Sequence, residues 1–205
     1  LVQKELAILK ADLDIKIPAK KFDKNLLIAT WNLKAFGDLN ENFANSAGKE
    51  PKRDMTALLC IKEIISRFDV IAIQEVKDNI KCLRHLMKLL GSDWNFIMTD
   101  TNKSDTGNGE RFAYIFDKRK VDISGLACEV VIPDEYIKNK KYDLQQQFVR
   151  TPYGVSFKAY NHTFVLLTLH VLYGKSTADR VAELSAIAKW AKEWSIDLDT
   201  WGHSL

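Results

Sequence analysis

Val70-Ile71-Ala72-Ile73-Gln74-Glu75-Val76 is the stretch on which the fold turns. Val70, Ile71, Ala72 and Ile73 form an unbroken apolar run that reads as a strand. Glu75 follows directly, so a carboxylate is expected at a strand end, where sheet-based enzymes collect functional groups. Upstream, Arg53 to Phe68 carries a helical stripe of Met55, Leu58, Leu59, Ile61, Ile64 and Ile65. Before that, Asn25 to Trp31 reads as a nearly continuous apolar strand of the kind buried on both faces, followed by Asn32. A strand, a helix and a strand in this order predict that Asn32 and Glu75 converge at the ends of neighbouring strands.

Further from this unit the chain alternates helical and strand-like segments. Gln3 to Leu13 reads as a short helix ended before Pro18, and Asn79 to Leu90 as a helix stopped at Gly91. Between them, Lys34 to Lys52 is rich in Gly, Asn and Ala and reads as a long loop. Trp94 to Thr99 is a strand. Arg111 to Phe116 and Val121 to Ser124 read as a hairpin turning at Asp117-Lys118-Arg119, and Leu126 to Ile132 as a further strand. Val155 to Ala159 and Phe164 to Leu169 suggest an antiparallel pair around Asn161-His162. The last helix is expected over Thr177 to Trp194, with Val181, Leu184, Ile187, Ala188 and Ala191 on its inner face. The expected fold is α/β, a layered sandwich of two packed mixed or antiparallel sheets flanked by helices. Residues 1–24 form an N-terminal helix and lead-in, and residues 25–205 a single domain.

Composition sets limits on function. With 205 residues and 46% hydrophobic content the chain can bury a core and is not a disordered segment. The net charge of +3 is too small to argue for nucleic acid by itself. Basic clusters at Lys16, Lys20, Lys21 and Lys24, at Lys49, Lys52 and Arg53, and at Lys138, Lys140, Lys141 and Arg150 read first as solvated surface. Cys60, Cys82 and Cys128 lack CxxC spacing and read as free thiols of a reducing compartment. No run is apolar enough for a membrane span. No signal peptide is visible, which favours a cytoplasmic location, but the chain begins at Leu1 rather than Met.

Four segments hold chemically useful residues: Thr30-Trp31-Asn32-Leu33, Ile73-Gln74-Glu75-Val76, Gly109-Glu110-Arg111-Phe112-Ala113-Tyr114 and Leu167-Thr168-Leu169-His170. Each has an ordinary structural explanation when taken alone: a cap or surface charge for Glu75, a turn residue for Asn32, a structural imidazole for His170. A histidine becomes useful when a carboxylate fixes its tautomer, and Glu110 is the candidate partner if its strand neighbours that of His170. Arg150, in Arg150-Thr151-Pro152, has the donor fork suited to phosphate oxygens.

In their order, these segments resemble the endonuclease/exonuclease/phosphatase superfamily of metal-dependent phosphoesterases, which includes pancreatic-type deoxyribonucleases. The matching pieces are Trp31-Asn32, Ile73 to Val76, Glu110-Arg111 with its aromatic strand, Arg150 to Pro152 and Thr168 to His170. They cover roughly Leu26 to Trp194. The resemblance implies that Glu75 binds Mg²⁺ or Mn²⁺ and that Asn32 contacts the metal-phosphate centre. It implies also that Glu110 pairs with His170, which protonates the leaving oxygen or stabilises the phosphorane-like transition state, and that Arg150 holds a substrate phosphate. His170 and the contexts of Glu110 and Arg150 look like the deoxyribonuclease branch, so a DNA nuclease is the first expectation. A phosphatase or sphingomyelinase-like phosphoesterase and a non-catalytic binding module are the alternatives.

The resemblance has a gap. The family's later GDxN segment and terminal SDH are not found, and the tail Asp197 to Leu205 lacks their wording. The expectation is therefore a partial domain, incomplete at its C-terminus and short of the groups that activate the attacking water. Oligomeric state is not encoded in any of these features.

Overall fold

The computed structural model describes residues 2–40, 53–101, 109–138, 147–171 and 177–200, except the side chains at 178–179 and 197–200. Lys49, Lys52, Lys140, Lys141, most of the expected long loop and the end of the tail lie outside the described residues. The chain divides into two compact units, residues 1–104 with 108–122 and residues 105–107 with 123–205.

The first unit is built on a mixed four-stranded sheet of order β1-β2-β4-β3. Strand β1 (Ile28–Phe36) runs parallel to β2 (Val70–Lys77), which places Ile28 opposite Val70 and Asn32 opposite Gln74. On the other side of β2 lies antiparallel β4 (Glu110–Asp117), followed by β3 (Trp94–Met98). The apolar run at Val70 is thus central, with Val70, Ile71 and Ile73 buried, whereas β1, expected to be buried on both faces, alternates exposed and half-buried residues from Ile28 to Trp31 because it pairs with β2 alone at the sheet edge. Helices α2 (Met55–Ile65) and α3 (Lys81–Leu90) bury Leu58, Ile61, Ile65, Leu83 and Leu86 in one cluster with Ile71, Ile73, Ala113 and Ile115. Each such side chain contributes roughly 1.5–3 kcal/mol by leaving water. Asp54 caps α2, its Oδ1 accepting the Ala57 N–H at 2.8 Å. Helix α1 (Val2–Lys16) packs against α2, with Asp14 ion-paired to Arg67.

The hairpin expected across Asp117-Lys118-Arg119 does not form. Strand β4 belongs to the first unit's sheet, whereas β5 (Val121–Glu129) starts a separate sheet and absorbs the first part of the strand expected at Leu126. The cause is a buried ionic network at the turn. Asp69 and Asp117 are 0% and 1% exposed, and Lys120 is 8% exposed. Lys120 Nζ donates to Asp69 Oδ2 at 2.9 Å and to the Lys21 carbonyl at 2.8 Å. Lys20 Nζ lies 2.6 Å from Asp117 Oδ2, 3.3 Å from Asp69 Oδ1 and 4.9 Å from the Trp94 ring centroid. Arg119 donates through Nε and Nη2 to Asp117 at 2.8 and 2.6 Å. These bonds draw Lys120 inward and redirect the chain. They also remove Lys20 from the basic surface cluster in which the sequence had placed it.

Burial alone pushes the Asp117 carboxyl up, but the hydrogen bonds from Arg119 and Lys20 outweigh it and hold the group well below the ordinary carboxylate range. A folded-state pKa below the unfolded value gives stability that is full above the unfolded pKa and disappears as pH falls. Acid titration followed by circular dichroism is therefore expected to show Asp117→Asn less stable than the parent at pH 7, with the difference closing below about pH 4. A constant difference down to pH 2 would contradict this assignment.

The second unit holds a three-stranded antiparallel sheet of order β5-β6-β7, with β6 (Tyr153–Ala159) antiparallel to β7 (His162–Thr168). The expected turn at Asn161 is present, with Tyr160 in the left-handed region at φ 56°. Val130, Ile132, Phe148, Ala186 and Ile187 form the core of this unit. Gln147 pairs its side-chain amide with both backbone groups of Ile132, as a neighbouring strand would. The last helix, α5 (Thr177–Thr200), matches the expected stripe only in part, at Ile187. Glu183, Ala186 and Ile187 are buried, whereas Val181 and Leu184 are 51% and 47% exposed. Ranking positions by apolarity alone hid the true i, i+3, i+4 set because it begins with a charged residue.

Candidate active site

Glu75 lies within β2 rather than after it, at a break in the sheet. The β2–β4 register runs from Ile73↔Ala113 to Val76↔Arg111, so Gln74 and Glu75 together face Phe112 alone. This is a β-bulge, and Glu75 takes φ 62°, a conformation that costs a non-glycine residue roughly 1–2 kcal/mol. The β1–β2 register breaks at the same level, between Asn32 and Phe36. There Lys34 and Ala35 also take positive φ, 36° and 52°, and the backbone arcs towards the bulge. Strain collected on facing strands marks a site where side-chain direction is being set.

The hydrogen bonds show what is being aimed. Asn32 Nδ2 donates to Glu75 Oε1 at 2.8 Å, and the Ala35 N–H donates to Glu75 Oε2 at 3.0 Å. Asn32 Oδ1 accepts the Lys34 N–H at 2.8 Å, which fixes the amide orientation. Arg53, grouped with surface lysines by its sequence neighbours, instead donates to the carbonyls of Leu33 and Lys34 at 2.5 and 3.0 Å. It ties the start of the α2 segment to the arc. Gly37 lets the continuation of β1 pass close to β2, since a Cβ there would stand 2.8 Å from Lys77 Cβ. The convergence of Asn32 and Glu75 expected from two neighbouring strands is therefore present as a direct bond.

Glu110 opens β4 on the other side of β2 and is 8% exposed. Lys77 Nζ donates to its Oε1 at 3.3 Å. Arg111 Nη1 donates to the carbonyls of Lys77 and Asp78 at 3.3 and 3.2 Å, holding the end of β2 in place. Lys77 had not been singled out. Its signal was the position two residues beyond Glu75, which returns a side chain to the same sheet face only in regular pleating and is unreadable across a bulge.

In the second unit, His170 and Arg150 line one cleft with Phe148, Glu183 and Ile187. His170 follows β7 closely, and Arg150 precedes β6. Glu183 Oε1 accepts the Val149 N–H at 3.2 Å, so a buried carboxylate of α5 anchors the segment carrying Arg150. Sequence reading overlooked Glu183 for the reason that misplaced part of the helix face. The structure thus brings Asn32 together with Glu75 in the first unit and Arg150 together with His170 in the second. The strands of Glu110 and His170 are not neighbours, because β4 lies between β2 and β3 and β7 pairs with β6. The premise of adjoining strands does not hold.

The donor set at Glu75 suits a hard divalent cation. Each carboxylate oxygen accepts a hydrogen bond from a rigid partner, which orients the group, and Mg²⁺ ordinarily takes only one or two carboxylates with water and substrate phosphate. Among the described residues there is no cluster of three or more His, Cys, Asp or Glu with metal-binding geometry. All three cysteines are free, and burial first of all pushes the Cys82 thiol up to about 12, so thiolate chemistry is not offered there. Among the described residues no helix is long and apolar enough to cross a membrane.

No protein-family model matches the chain. A deoxyribonuclease from Thioalkalivibrio sp. (strain K90mix) is 25% identical over 179 residues, covering 85% of this chain and 42% of that protein. The chain therefore spans less than half the length of that relative. A functionally unknown conserved protein from Enterococcus faecalis V583 has the same fold, with a TM-score of 0.52 and 18% identity over 80% of this chain and 60% of that one. An endonuclease/exonuclease/phosphatase family protein from Leptotrichia buccalis C-1013-b gives a TM-score of 0.46 and 14% identity over 78% of this chain and 60% of that one. The ordered segments from Trp31 to His170, together with an alignment to a deoxyribonuclease along most of the chain, make the protein similar to the endonuclease/exonuclease/phosphatase superfamily.

Proposed function

We propose that the protein acts as a Mg²⁺- or Mn²⁺-dependent phosphodiesterase on DNA. The observation that carries this reading is the Asn32-Glu75 bond on a strained double register break, where both carboxylate oxygens are oriented by groups of β1. A carboxylate held only for stability needs no such backbone. The deoxyribonuclease relative favours DNA over the small phosphoesters that other members of the superfamily hydrolyse.

In this reading Glu75 holds the metal and Asn32 is a positioning residue that fixes the carboxylate rotamer. When bound, the cation supplies charge neutralisation and Lewis acidity at a phosphate oxygen. Arg150 binds non-bridging phosphate oxygens through its planar fork, and Glu183 positions it through the Val149 amide. His170 donates the proton that the leaving oxygen needs.

Titration with Mn²⁺ followed by electron paramagnetic resonance tests the metal site without relying on turnover. The protein is expected to show a saturable site that Glu75→Gln abolishes and Asn32→Ala weakens about 10- to 100-fold, the usual scale for losing a group that orients a ligand. Equal binding by all three proteins would remove the metal from Glu75.

A further inference from the structure

The groove between α3 and β3 is not used by the chemistry above, yet it begins where that site ends. Asp78 and Asn79 continue the chain from the Glu75 bulge, and the groove they open runs along Lys81, Arg84, His85 and Lys88 over an apolar floor of Met87 and Phe96. Its volume is about 670 Å³. At 100° per residue the four basic positions fall within one face of α3, and the seven-residue step from Lys81 to Lys88 spans about 10 Å. Helix α3 contains no Asp or Glu, whereas α1 mixes Glu5, Asp12 and Asp14 with its lysines. Arg84 and Lys88 form no ion pair among the described residues. The acidic residue in the lining, Asp78, sits at the Glu75 end. His85 Nδ1 bonds the Lys81 carbonyl at 3.0 Å, which turns Nε2 away from the helix backbone.

We propose that this face of α3 is a phosphate track that binds the DNA backbone beyond the scissile bond; the proposal rests on the nuclease reading. A DNA strand places one phosphate per roughly 3.4 Å of axis, so about 10 Å of helix matches about three phosphates, as many as the permanent cations Lys81, Arg84 and Lys88 on this face. A concave shape with an aromatic ring in its floor and continuity with the Glu75 strand fit a nucleic acid strand. A flat anionic membrane surface would meet neither.

The test is duplex DNA binding by fluorescence anisotropy over a range of salt concentrations, without divalent metal. Replacing Lys81, Arg84 and Lys88 together by Gln preserves helix propensity and is expected to reduce the slope of log K against log salt by about 2.7, the value for three lost phosphate contacts. A control removes the same charge from α1, at exposed Lys4, Lys10 and Lys16. That control is expected to leave the slope unchanged. An unchanged slope in the α3 variant, an equal loss in the α1 variant, or tighter binding to phosphatidylserine vesicles than to DNA would overturn the track. Manganese binding at Glu75 with no slope change would remove the track alone, whereas failure to bind either Mn²⁺ or DNA would remove the nuclease reading as well.

Discussion

Glu75→Gln is expected to lower DNA hydrolysis by the full-length protein roughly 100- to 1,000-fold, since a metal clamp on phosphate provides several kcal/mol of transition-state stabilisation. Gln is nearly isosteric and retains one carbonyl oxygen, so it can still accept from either Asn32 or Ala35. Unfolding of the variant should therefore stay within about 2 kcal/mol of the parent, the upper range for a weakened charge-assisted bond. Plasmid nicking with Mg²⁺, paired with a thermal melt, separates the two effects. His170→Ala should fall by a comparable factor, about 100- to 10,000-fold for a lost general acid. Parent-like nicking by the Gln variant would mean that the strained bulge at Glu75 serves the backbone and not the reaction.

The largest stability effect is expected at Asp69, which touches no part of the proposed site. Its carboxylate accepts from Lys120 Nζ at 2.9 Å and from the Leu27 N–H at 2.7 Å, both on Oδ2, and pairs with Lys20 through Oδ1. Removing it by Asp69→Ala leaves the Lys120 ammonium buried without its carboxylate, although its bond to the Lys21 carbonyl remains. Breaking one side of a buried pair costs about 3–5 kcal/mol, a large share of the roughly 5–15 kcal/mol that holds a domain together. Urea denaturation should show that loss, and adding Lys120→Met should restore much of it because no unpaired charge then remains. A loss below 1 kcal/mol in the single variant, or none recovered in the double, would show that Lys120 reaches water.

Much of this architecture was legible beforehand because it depends on short-range patterns. The β-branched run at Val70, the stripe from Met55 to Ile65 and the stop at Gly91 each express a local preference that burial then satisfied. Where the reading failed, a polar side chain had been drawn inside. Lys20 was taken as solvated, and its pairing with Asp69 and Asp117, beside that of Lys120 with Asp69, lies at the turn between β4 and β5. Glu183 was passed over, and its burial turns α5 partly away from the face that apolarity predicts. Composition cannot announce a buried charge, because its burial is favourable only with a partner that is distant in sequence.

The same division runs through the site. Residue identities and their order along the chain were enough to select Asn32, Glu75, Glu110, Arg150 and His170 as candidates and to suggest a superfamily. Tertiary structure alone decided that Glu75 stands on a bulge with φ 62°, that Asn32 and the Ala35 amide share its two oxygens, and that Arg53 braces the arc supplying them. A register break depends on how three strands pair at once, a sum of long-range contacts that no local run of residues contains.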